Sequence, residues 1–252
     1  SGNIRSYLIL CEVENSKGKP HVSNTRADLR KTVKDNNEFL FGFEQEYLLI
    51  NPKTRQPFQW PMGINDEGNE TVMFPAPQGR YYCGTGDFVK GRDFVDEHAE
   101  ACITAGIALE GTNAEVLLSQ WEYQIGPANV LDVCDHLWAA RFVLEVLAEK
   151  RGLYIKLDPK PISGDWNGSG AHINFSSTFM RESATLDDLY RMCNELGKYK
   201  NEMLFIPQLF YKEIFLPLGI QSTQMHINEW NEESFKKFEV FVEKNKQKIV
   251  DL

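Results

Sequence analysis

The sequence predicts an α+β fold with strands whose polar positions can share one sheet face. Two observations carry this prediction. Strand-like segments in which polar and apolar residues alternate recur along the chain, and longer segments with apolar residues at helical spacing separate them. The 252 residues, 42% of them hydrophobic, are enough to bury the core of one large domain.

The first half of the chain begins with strand-like segments. SYLILCEVE (Ser6 to Glu14) has the pattern of a strand, and the charged segment RADLRKTVKDNNE is expected to be a connector. FLFGFEQEYLLI (Phe39 to Ile50) follows as a long strand. Residues 51–79 are rich in Pro, Gly, Asn and Gln, which predicts a long loop.

Four helices are predicted from apolar spacing and from start and stop signals. They run from about Gly91 to Ala105, from Asp132 to Arg151, from Thr185 to the residues before Pro207, and from Asn231 onward. The inner stripe of the first is expected to contain Phe94, Val95, Ala99, Cys102 and Ile103, and that of the third Leu189, Cys193 and Leu196.

Composition excludes some classes of function. A net charge of -9 disfavours a nucleic-acid groove, and no apolar run reaches the ~20 residues that span a bilayer. The five cysteines are widely spaced and contain no CxxC pair. We expect reduced and mostly buried thiols in a reducing compartment, the cytoplasm, with an organellar matrix left open.

Three of the predicted strands carry polar side chains at every second position. Burying carboxylates side by side without a partner costs several kcal/mol each, roughly, so such stripes need a compensating charge. The polar positions are Glu44 and Glu46, then Gln120, Glu122 and Gln124, then His172, Asn174 and Ser176. With Glu115, just before the second strand, they are candidates to converge on one sheet face.

Four glutamates and one histidine suit Mg²⁺ or Mn²⁺ better than zinc, which prefers thiolates and several imidazoles. Two such ions would leave positions for the phosphate oxygens of a nucleotide. The alternative is that each glutamate faces water and that the histidine is an ordinary core residue. The glycine-rich segment KPISGDWNGSGAH is likewise either an anion cradle or a simple turn.

Seven segments together carry a resemblance to a known family. They are FGFEQEYLL, PAPQGRYYCGTG, GRDFVDEHAEACITAGI, GTNAEV, QWEYQIGP, LDPKP and GDWNGSGAHINFS. With these motifs the sequence closely resembles glutamine synthetase of the eukaryotic-like type, from about Tyr7 to about Leu204. The resemblance implies an antiparallel sheet flanked by helices, a remnant of a small N-terminal β domain, and active sites at the subunit interfaces of a ring.

The resemblance also implies an activity and a set of site residues. The activity is the ATP- and Mg²⁺- or Mn²⁺-dependent ligation of ammonia to glutamate through γ-glutamyl phosphate, a ligase reaction of nitrogen metabolism. Glu46, Glu115 and Glu122 would hold the first metal, and Glu44 and His172 the second. Asn167 and Gly168 would bind glutamate. The positions expected to line the nucleotide are Glu122, Tyr123, Gln124, Ile125, Gly126, Pro127, Asn174, Phe175 and Ser176.

The sequence departs from the family pattern in several places. Beyond His172, where the family has arginines that grip the transferring phosphate, the arginines are Arg181 and Arg191. The chain also begins after the family's ammonium-site loop, and INDEGNETVMF (Ile64 to Phe74) is an insertion. A missing phosphate-binding arginine costs orders of magnitude in phosphoryl transfer.

Two functions from different classes follow. The chain is either a synthetase, shortened or part of a larger gene product, or a catalytically impaired pseudoenzyme. As a pseudoenzyme it would be a structural or binding subunit that docks on another protein through its divergent tail. The expected domains are 1–35, the N-terminal β remnant, 36–204, the catalytic domain, and 205–252, the tail. Expected partners are glutamate, ATP and ammonia, and other copies of the chain or a larger assembly.

Overall fold

A computed structural model of the chain describes residues 7–33, 38–73, 75 and 77–198. The elements up to Asn194 belong to one compact unit. In chain order the elements are α1 (Thr25–Val33), β1 (Phe39–Asn51), β2 (Gln56–Pro57), β3 (Met62–Ile64), β4 (Glu70–Val72), α2 (Arg92–Thr104), β5 (Leu109–Ala114), β6 (Gln120–Ala128), α3 (Val130–Arg151), β7 (Tyr154–Lys156), β8 (Ala171–Ser177), α4 (Thr178–Glu182) and α5 (Leu186–Lys198).

The main sheet is built around β1, the 13-residue strand predicted from the alternating segment. β1 pairs antiparallel with β2, β6, β7 and β8, and β5 pairs antiparallel with β6. Because β8 pairs with the first half of β1 and β7 with the second half, one strand organises both ends of the sheet. The predicted α+β fold with an antiparallel sheet and flanking helices is confirmed.

The core lies between one face of this sheet and helices α2 and α3. Tyr47 of β1 and Trp121 and Tyr123 of β6 are fully buried there, against Phe94 of α2 and Leu144 of α3. Burying an aromatic side chain removes 150–250 Å² from water, roughly, so these rings dominate the stability of the unit. The apolar positions of the alternating strands therefore face the helices, and the polar positions face away from them.

The helices α2 and α3 match their predicted bounds to within about two residues. Helix α3 begins after Asn129, whose side chain accepts a hydrogen bond from the Asp132 amide, and ends at Gly152 with φ 64°. The predicted inner stripe of α2 is wrong at Ile103, which is 61% exposed. His98 is buried instead, because it lies one turn from both Phe94 and Cys102 and shares their face.

Two predictions for the N-terminal region are wrong. From Tyr7 to Val13 the chain forms no strand, and only an isolated bridge joins Glu14 to Pro20. An apolar run alone does not make a strand without a partner, and the apolar side chains here are exposed, Ile9 by 76%. The expected connector contains helix α1, which an ion pair from Arg26 to Asp135 attaches to α3.

The thiols are less buried than expected. All five cysteines are free, Cys102 is buried and Cys134 half-buried, but Cys11, Cys83 and Cys193 are exposed. The expectation of mostly buried thiols is therefore wrong, and so is the inward position of Cys193 in α5. Cys102 faces the core from α2, and Cys134 packs against the same core from α3.

The predicted loop 51–79 contains short paired strands. β2 pairs with the end of β1, and β3 and β4 form a separate two-stranded sheet with a turn from Asn65 to Asn69 inside the insertion. The third helix begins as predicted, with reciprocal hydrogen bonds between Thr185 and Asp188. Its predicted stop at Pro207, the last helix from Asn231 and the tail 205–252 lie outside the described residues. The domain division remains a prediction.

Candidate metal and nucleotide site

The register of three strands brings the predicted metal ligands together. Glu46 of β1 lies opposite Glu122 of β6. On the other edge of β1, Glu44 lies opposite His172 of β8. Glu115 directly follows β5, and its backbone amide donates to the Gln120 carbonyl at 2.9 Å, which holds it beside the start of β6. Four separated segments therefore present their polar positions on one sheet face.

Two groups of ligand atoms result, each with its atoms within 4.8 Å of one another. The first, which we call the buried group, consists of Glu46, Glu115 and Glu122. The second, the open group, consists of Glu44, Glu122 and His172. Glu122 belongs to both groups and is the residue that they share. All five residues predicted as ligands are found in these two groups.

Polar neighbours hold the carboxylates of the buried group. The Gly170 amide donates to Oε2 of Glu46 at 2.9 Å, and the Val116 amide donates to Oε2 of Glu115 at 3.1 Å. Asn113 donates to Oε1 of Glu115 at 3.2 Å, and Gln124 donates to Oε1 of Glu122. Each carboxylate thus has at least one donor, which orients it but does not neutralise it.

Electrostatics in the buried group favour an added positive charge. Burial raises the pKa of Glu46, Glu115 and Glu122 above the ordinary value of 4.5, because a buried carboxylate loses its hydration. The negative charges of neighbouring glutamates raise these pKa values further. A cation bound between them would relieve both costs.

The open group is more exposed and has fewer hydrogen bonds. Nδ1 of His172 lies 3.4 Å from Oε2 of Glu44, and the exposed fractions of the two side chains are 61% and 36%. Asn174 donates to Oε1 of Glu44 at 2.6 Å. Glu122, the third member, is buried, so the open group is accessible to solvent through Glu44 and His172.

The donor chemistry of both groups fits Mg²⁺ or Mn²⁺. Hard divalent cations take carboxylate oxygens and keep several waters, and an additional imidazole is compatible with Mn²⁺. The described residues place no cysteine in either group, so the sulfur ligands that favour zinc or copper are not among the ligand atoms. The buried group offers three carboxylates, and the open group offers two carboxylates and an imidazole, so the two groups differ both in charge and in the one nitrogen ligand.

A cavity of about 300 Å³ lies next to the open group. Glu44 lines it, and so do seven of the positions expected to line a nucleotide: Gln124, Ile125, Gly126, Pro127, Asn174, Phe175 and Ser176. The wall is completed by the β1 residues Leu40 to Phe43. These were not predicted to line a nucleotide, although they directly precede Glu44 on the same strand.

Glu122 and Tyr123 do not line this cavity. Glu122 lies in the two metal groups, and Tyr123 is fully buried in the core on the opposite face of β6, against His98. Alternation along β6 explains the split, since Tyr123 has the opposite parity to Glu122 and Gln124. Gly126, with φ +93°, admits the close approach of the Phe41 carbonyl, to which an added Cβ would lie at 2.7 Å.

The glycine-rich segment lies beside the buried group. The Gln120 side chain donates to the Gly168 carbonyl at 2.7 Å and accepts from the Asn167 side chain at 3.1 Å. The backbone amide of Asn167 donates to Oε1 of Gln78 at 2.7 Å. Asn167 and Gly168 are thus held next to the carboxylates. Gln78, from the preceding loop, was not anticipated because nothing in its local pattern distinguishes it.

No helix in the described part of the chain is both long and apolar enough to cross a bilayer.

Comparison with known proteins identifies similar chains. The profile of the family described as "Glutamine synthetase, catalytic domain" matches residues 23–199. The chain is 49% identical over 194 residues to the glutamine synthetase of Streptomyces viridochromogenes, an alignment that covers 76% of this chain and 53% of that protein.

Eukaryotic relatives match the same part of the chain. Identity is 42% over 197 residues to "Glutamine synthetase cytosolic isozyme 1-4" of Arabidopsis thaliana, covering 76% of this chain and 53% of that protein. It is 44% over 194 residues to "Glutamine synthetase 1, mitochondrial" of Drosophila melanogaster, covering 76% and 46%. The chain spans about half the length of the curated relatives it matches.

Proposed function

Because this chain belongs to the glutamine synthetase family, we propose that it takes part in the ATP-dependent ligation of ammonia to glutamate through γ-glutamyl phosphate. The observation that carries the proposal is the pair of acidic groups that share Glu122 beside a cavity. Divalent cations held by these two groups would supply the positive charge that phosphoryl transfer needs.

Under this proposal the two groups have different tasks. Bound Mg²⁺ or Mn²⁺ would supply charge that offsets the negative phosphate oxygens. Glu46, Glu115 and Glu122 would hold one ion on the side of the glycine-rich segment, where Asn167 and Gly168 would orient glutamate. Glu44 and His172 would hold the other ion on the side of the cavity, where the nucleotide would bind.

The cavity positions the nucleotide by shape and polarity. Phe41 and Phe175 line it, with ring centroids 6.1 Å apart, and offer apolar surface to a flat base. Asn174 and Ser176 offer polar side chains on the same wall. Its twelve lining residues contain no lysine or arginine among the described part of the chain, so the metal groups carry the charge complementarity to phosphate there.

The pseudoenzyme alternative makes a different prediction from the same geometry. A chain that retains the acidic groups and the cavity would bind Mn²⁺ and ATP, yet it would release no phosphate. Phosphoryl transfer depends on positioned positive charge, and among the described residues no lysine or arginine lines the cavity, so under this alternative that charge has to come from elsewhere. A larger assembly, or further copies of the chain, would then complete the site.

The decisive experiment measures phosphate release by the purified chain with glutamate, ammonia, ATP and Mg²⁺. We expect release that depends on glutamate and ammonia together and that is lost in Glu122→Ala and after chelation. Mn²⁺ binding measured on the same samples separates the alternatives. Phosphate release no higher than that of Glu122→Ala, with Mn²⁺ binding retained in the unsubstituted chain, would contradict the ligase and support the binding subunit.

We also propose that copies of the chain assemble, as the ring expected for the family requires, and that the compartment is the cytoplasm. Light scattering of the purified chain tests the first point. The second is open to an organellar matrix, because the relatives include proteins named as cytosolic and as mitochondrial.

A further inference from the structure

Gln45 lies on β1 between the two proposed ligands Glu44 and Glu46, but its side chain belongs to the opposite face. It is 2% exposed, among the aromatic residues that pack on α3. A buried amide has to satisfy both its oxygen and its nitrogen, because an unmet hydrogen bond in the core is costly. The partners of this amide therefore indicate what the residue does.

The oxygen of Gln45 faces Arg141 of helix α3. Nε of Arg141 donates to Oε1 of Gln45 at 2.9 Å, and a second guanidinium nitrogen donates to the same oxygen. A guanidinium has donors only, so the atom that faces it has to be the oxygen. This fixes the orientation of the Gln45 amide and directs its nitrogen away from the helix.

The nitrogen of Gln45 reaches the backbone of the metal face. It donates to the Glu46 carbonyl at 2.7 Å and to the Gly170 carbonyl at 3.2 Å. The Glu46 amide donates to the same Gly170 carbonyl at 3.0 Å. The Gly170 carbonyl thus accepts two hydrogen bonds from β1, one from the Gln45 side chain and one from the Glu46 backbone amide. These bonds tie β1 to a residue 125 positions from Gln45 in sequence.

Gly170 is itself a contact of the buried group. Its amide donates to Oε2 of Glu46 at 2.9 Å, and an added Cβ on it would lie 3.7 Å from Nε2 of His172. A shift of Gly170 would therefore move the donor that orients Glu46 and the start of the strand that carries His172. The chain of hydrogen bonds runs from Arg141 through Gln45 and Gly170 to Glu46 of the buried group, and Gly170 lies two residues before His172 of the open group.

An ordinary structural role for Arg141 is the competing explanation. Its guanidinium also lies over the Trp138 ring at 5.4 Å, and a residue that merely packs α3 on the sheet would do the same. A packing role, however, requires only contact with Gln45. It does not require the Gln45 side chain to be oriented so that its nitrogen donates to the carbonyls of Glu46 and Gly170.

We propose that Arg141 and Gln45 are positioning residues that hold Gly170, and through it Glu46 and His172, in the arrangement that binds divalent cations. This rests on the proposed function, in which those residues are the ligands. Neither residue touches a metal or substrate. Outer partners that orient ligands in this way typically change metal affinity by 10–100-fold, roughly, when they are replaced.

The test uses two substitutions that break the chain at different links. Arg141→Met removes the donors to Gln45 and keeps much of the apolar volume. Gln45→Glu keeps an acceptor for Arg141 but replaces the nitrogen that donates to Gly170 with an oxygen, so it separates the core contact from the positioning contact. Leu144→Ala is the control, because Leu144 is a fully buried residue of the same helix outside this hydrogen-bond chain.

Two measurements are made on the whole chain. Mn²⁺ titration calorimetry is expected to show affinity about 10–100-fold lower in Arg141→Met and Gln45→Glu, with a much smaller change in Leu144→Ala. Amide hydrogen exchange of the metal-free protein is expected to be faster at residues 168–172 in the first two variants than in the control. A purely structural role would change all three variants in proportion to their loss of thermal stability.

Each outcome decides the matter. Wild-type Mn²⁺ affinity in Gln45→Glu, or faster exchange at 168–172 in Leu144→Ala to the same extent, would overturn the positioning role. If the unsubstituted chain itself binds no Mn²⁺, the proposed function fails. The exchange measurement needs no metal, so it then still shows whether Arg141 and Gln45 hold Gly170 or whether that part of the inference fails as well.

Discussion

The buried group and the open group share Glu122, yet they differ in almost every other respect. Glu46 and Glu115 are at most 9% exposed and are held by backbone amides at 2.9 and 3.1 Å. Glu44 and His172 reach solvent, and the side chain of Asn174 donates to Glu44. Burial raises the pKa of all three carboxylates of the buried group.

From this difference we expect the two groups to bind cations differently. The buried group is assembled in advance and strained by its own repulsion, so it gains most from an ion that stays. The open group is loosely held beside the cavity, so an ion there can arrive and leave with a nucleotide. We expect tight binding at the first and weaker, nucleotide-assisted binding at the second.

The largest effect is expected from Glu122→Gln, because it removes a charged ligand from both groups at once. Mn²⁺ titration should show loss of both binding events, and any glutamine-forming activity should fall at least about 100-fold, the scale of losing positioned charge in an active site. Glu110→Gln is the control, since Glu110 is an exposed glutamate on β5. Retention of two Mn²⁺ equivalents in Glu122→Gln would show that the groups do not share a ligand.

Glu46→Gln and Glu44→Gln test the asymmetry directly. The same loss of charge matters more where the surroundings are less polar, so we expect the affinity to drop about 100-fold or more at the buried group and about 10-fold at the open group. Calorimetry resolves the two as separate binding events, and the control for each is the other variant. Equal losses would mean that burial does not distinguish the groups.

A smaller effect is expected from the amides that orient the carboxylates. Asn113 donates to Glu115 at 3.2 Å and accepts from Gln124 at 2.8 Å, so Asn113→Ala should weaken Mn²⁺ binding at the buried group by about 10-fold. Asn174→Ala removes the donor to Glu44 and should affect the open group less, because solvent can replace it. The comparison fails if Asn174→Ala has the larger effect.

The smallest effect concerns the pH dependence of stability without metal. In the folded state the pKa values of Glu46, Glu115 and Glu122 are raised above 4.5, so the native chain binds protons more strongly than the unfolded chain in the window above pH 4.5. The free energy of unfolding therefore falls as pH rises through that window, opposite to a salt-bridged carboxylate.

Thermal unfolding in chelator across this window measures the effect, at about 2–4 °C of Tm for each kcal/mol. Glu46→Gln should flatten the slope, since its amide has no charge to bury, and saturating Mn²⁺ should reverse it by favouring the ionised carboxylates. A Tm that rises with pH in chelator, in both the unsubstituted chain and Glu46→Gln, would contradict the raised pKa values.

The local sequence pattern was sufficient to predict features that depend on neighbouring residues alone, such as the two faces of a strand and the bounds of a helix. Alternation along β1 placed Glu44 and Glu46 on one face and Gln45 and Tyr47 on the other, and the structure agrees. Helical spacing and cap signals located α2 and α3 to within about two residues. Pattern failed where partners decide, as in the exposed apolar run around Ile9, which pairs with no strand among the described residues.

The sequence by itself determined which side chains share a strand face, because a strand repeats every two residues whatever surrounds it. Only the tertiary structure decided the register that sets Glu46 against Glu122 and Glu44 against His172, and so made Glu122 common to two groups. It alone also joined Arg141 to Gln45 across 96 positions. Such contacts depend on how distant segments pack, and no local periodicity encodes them.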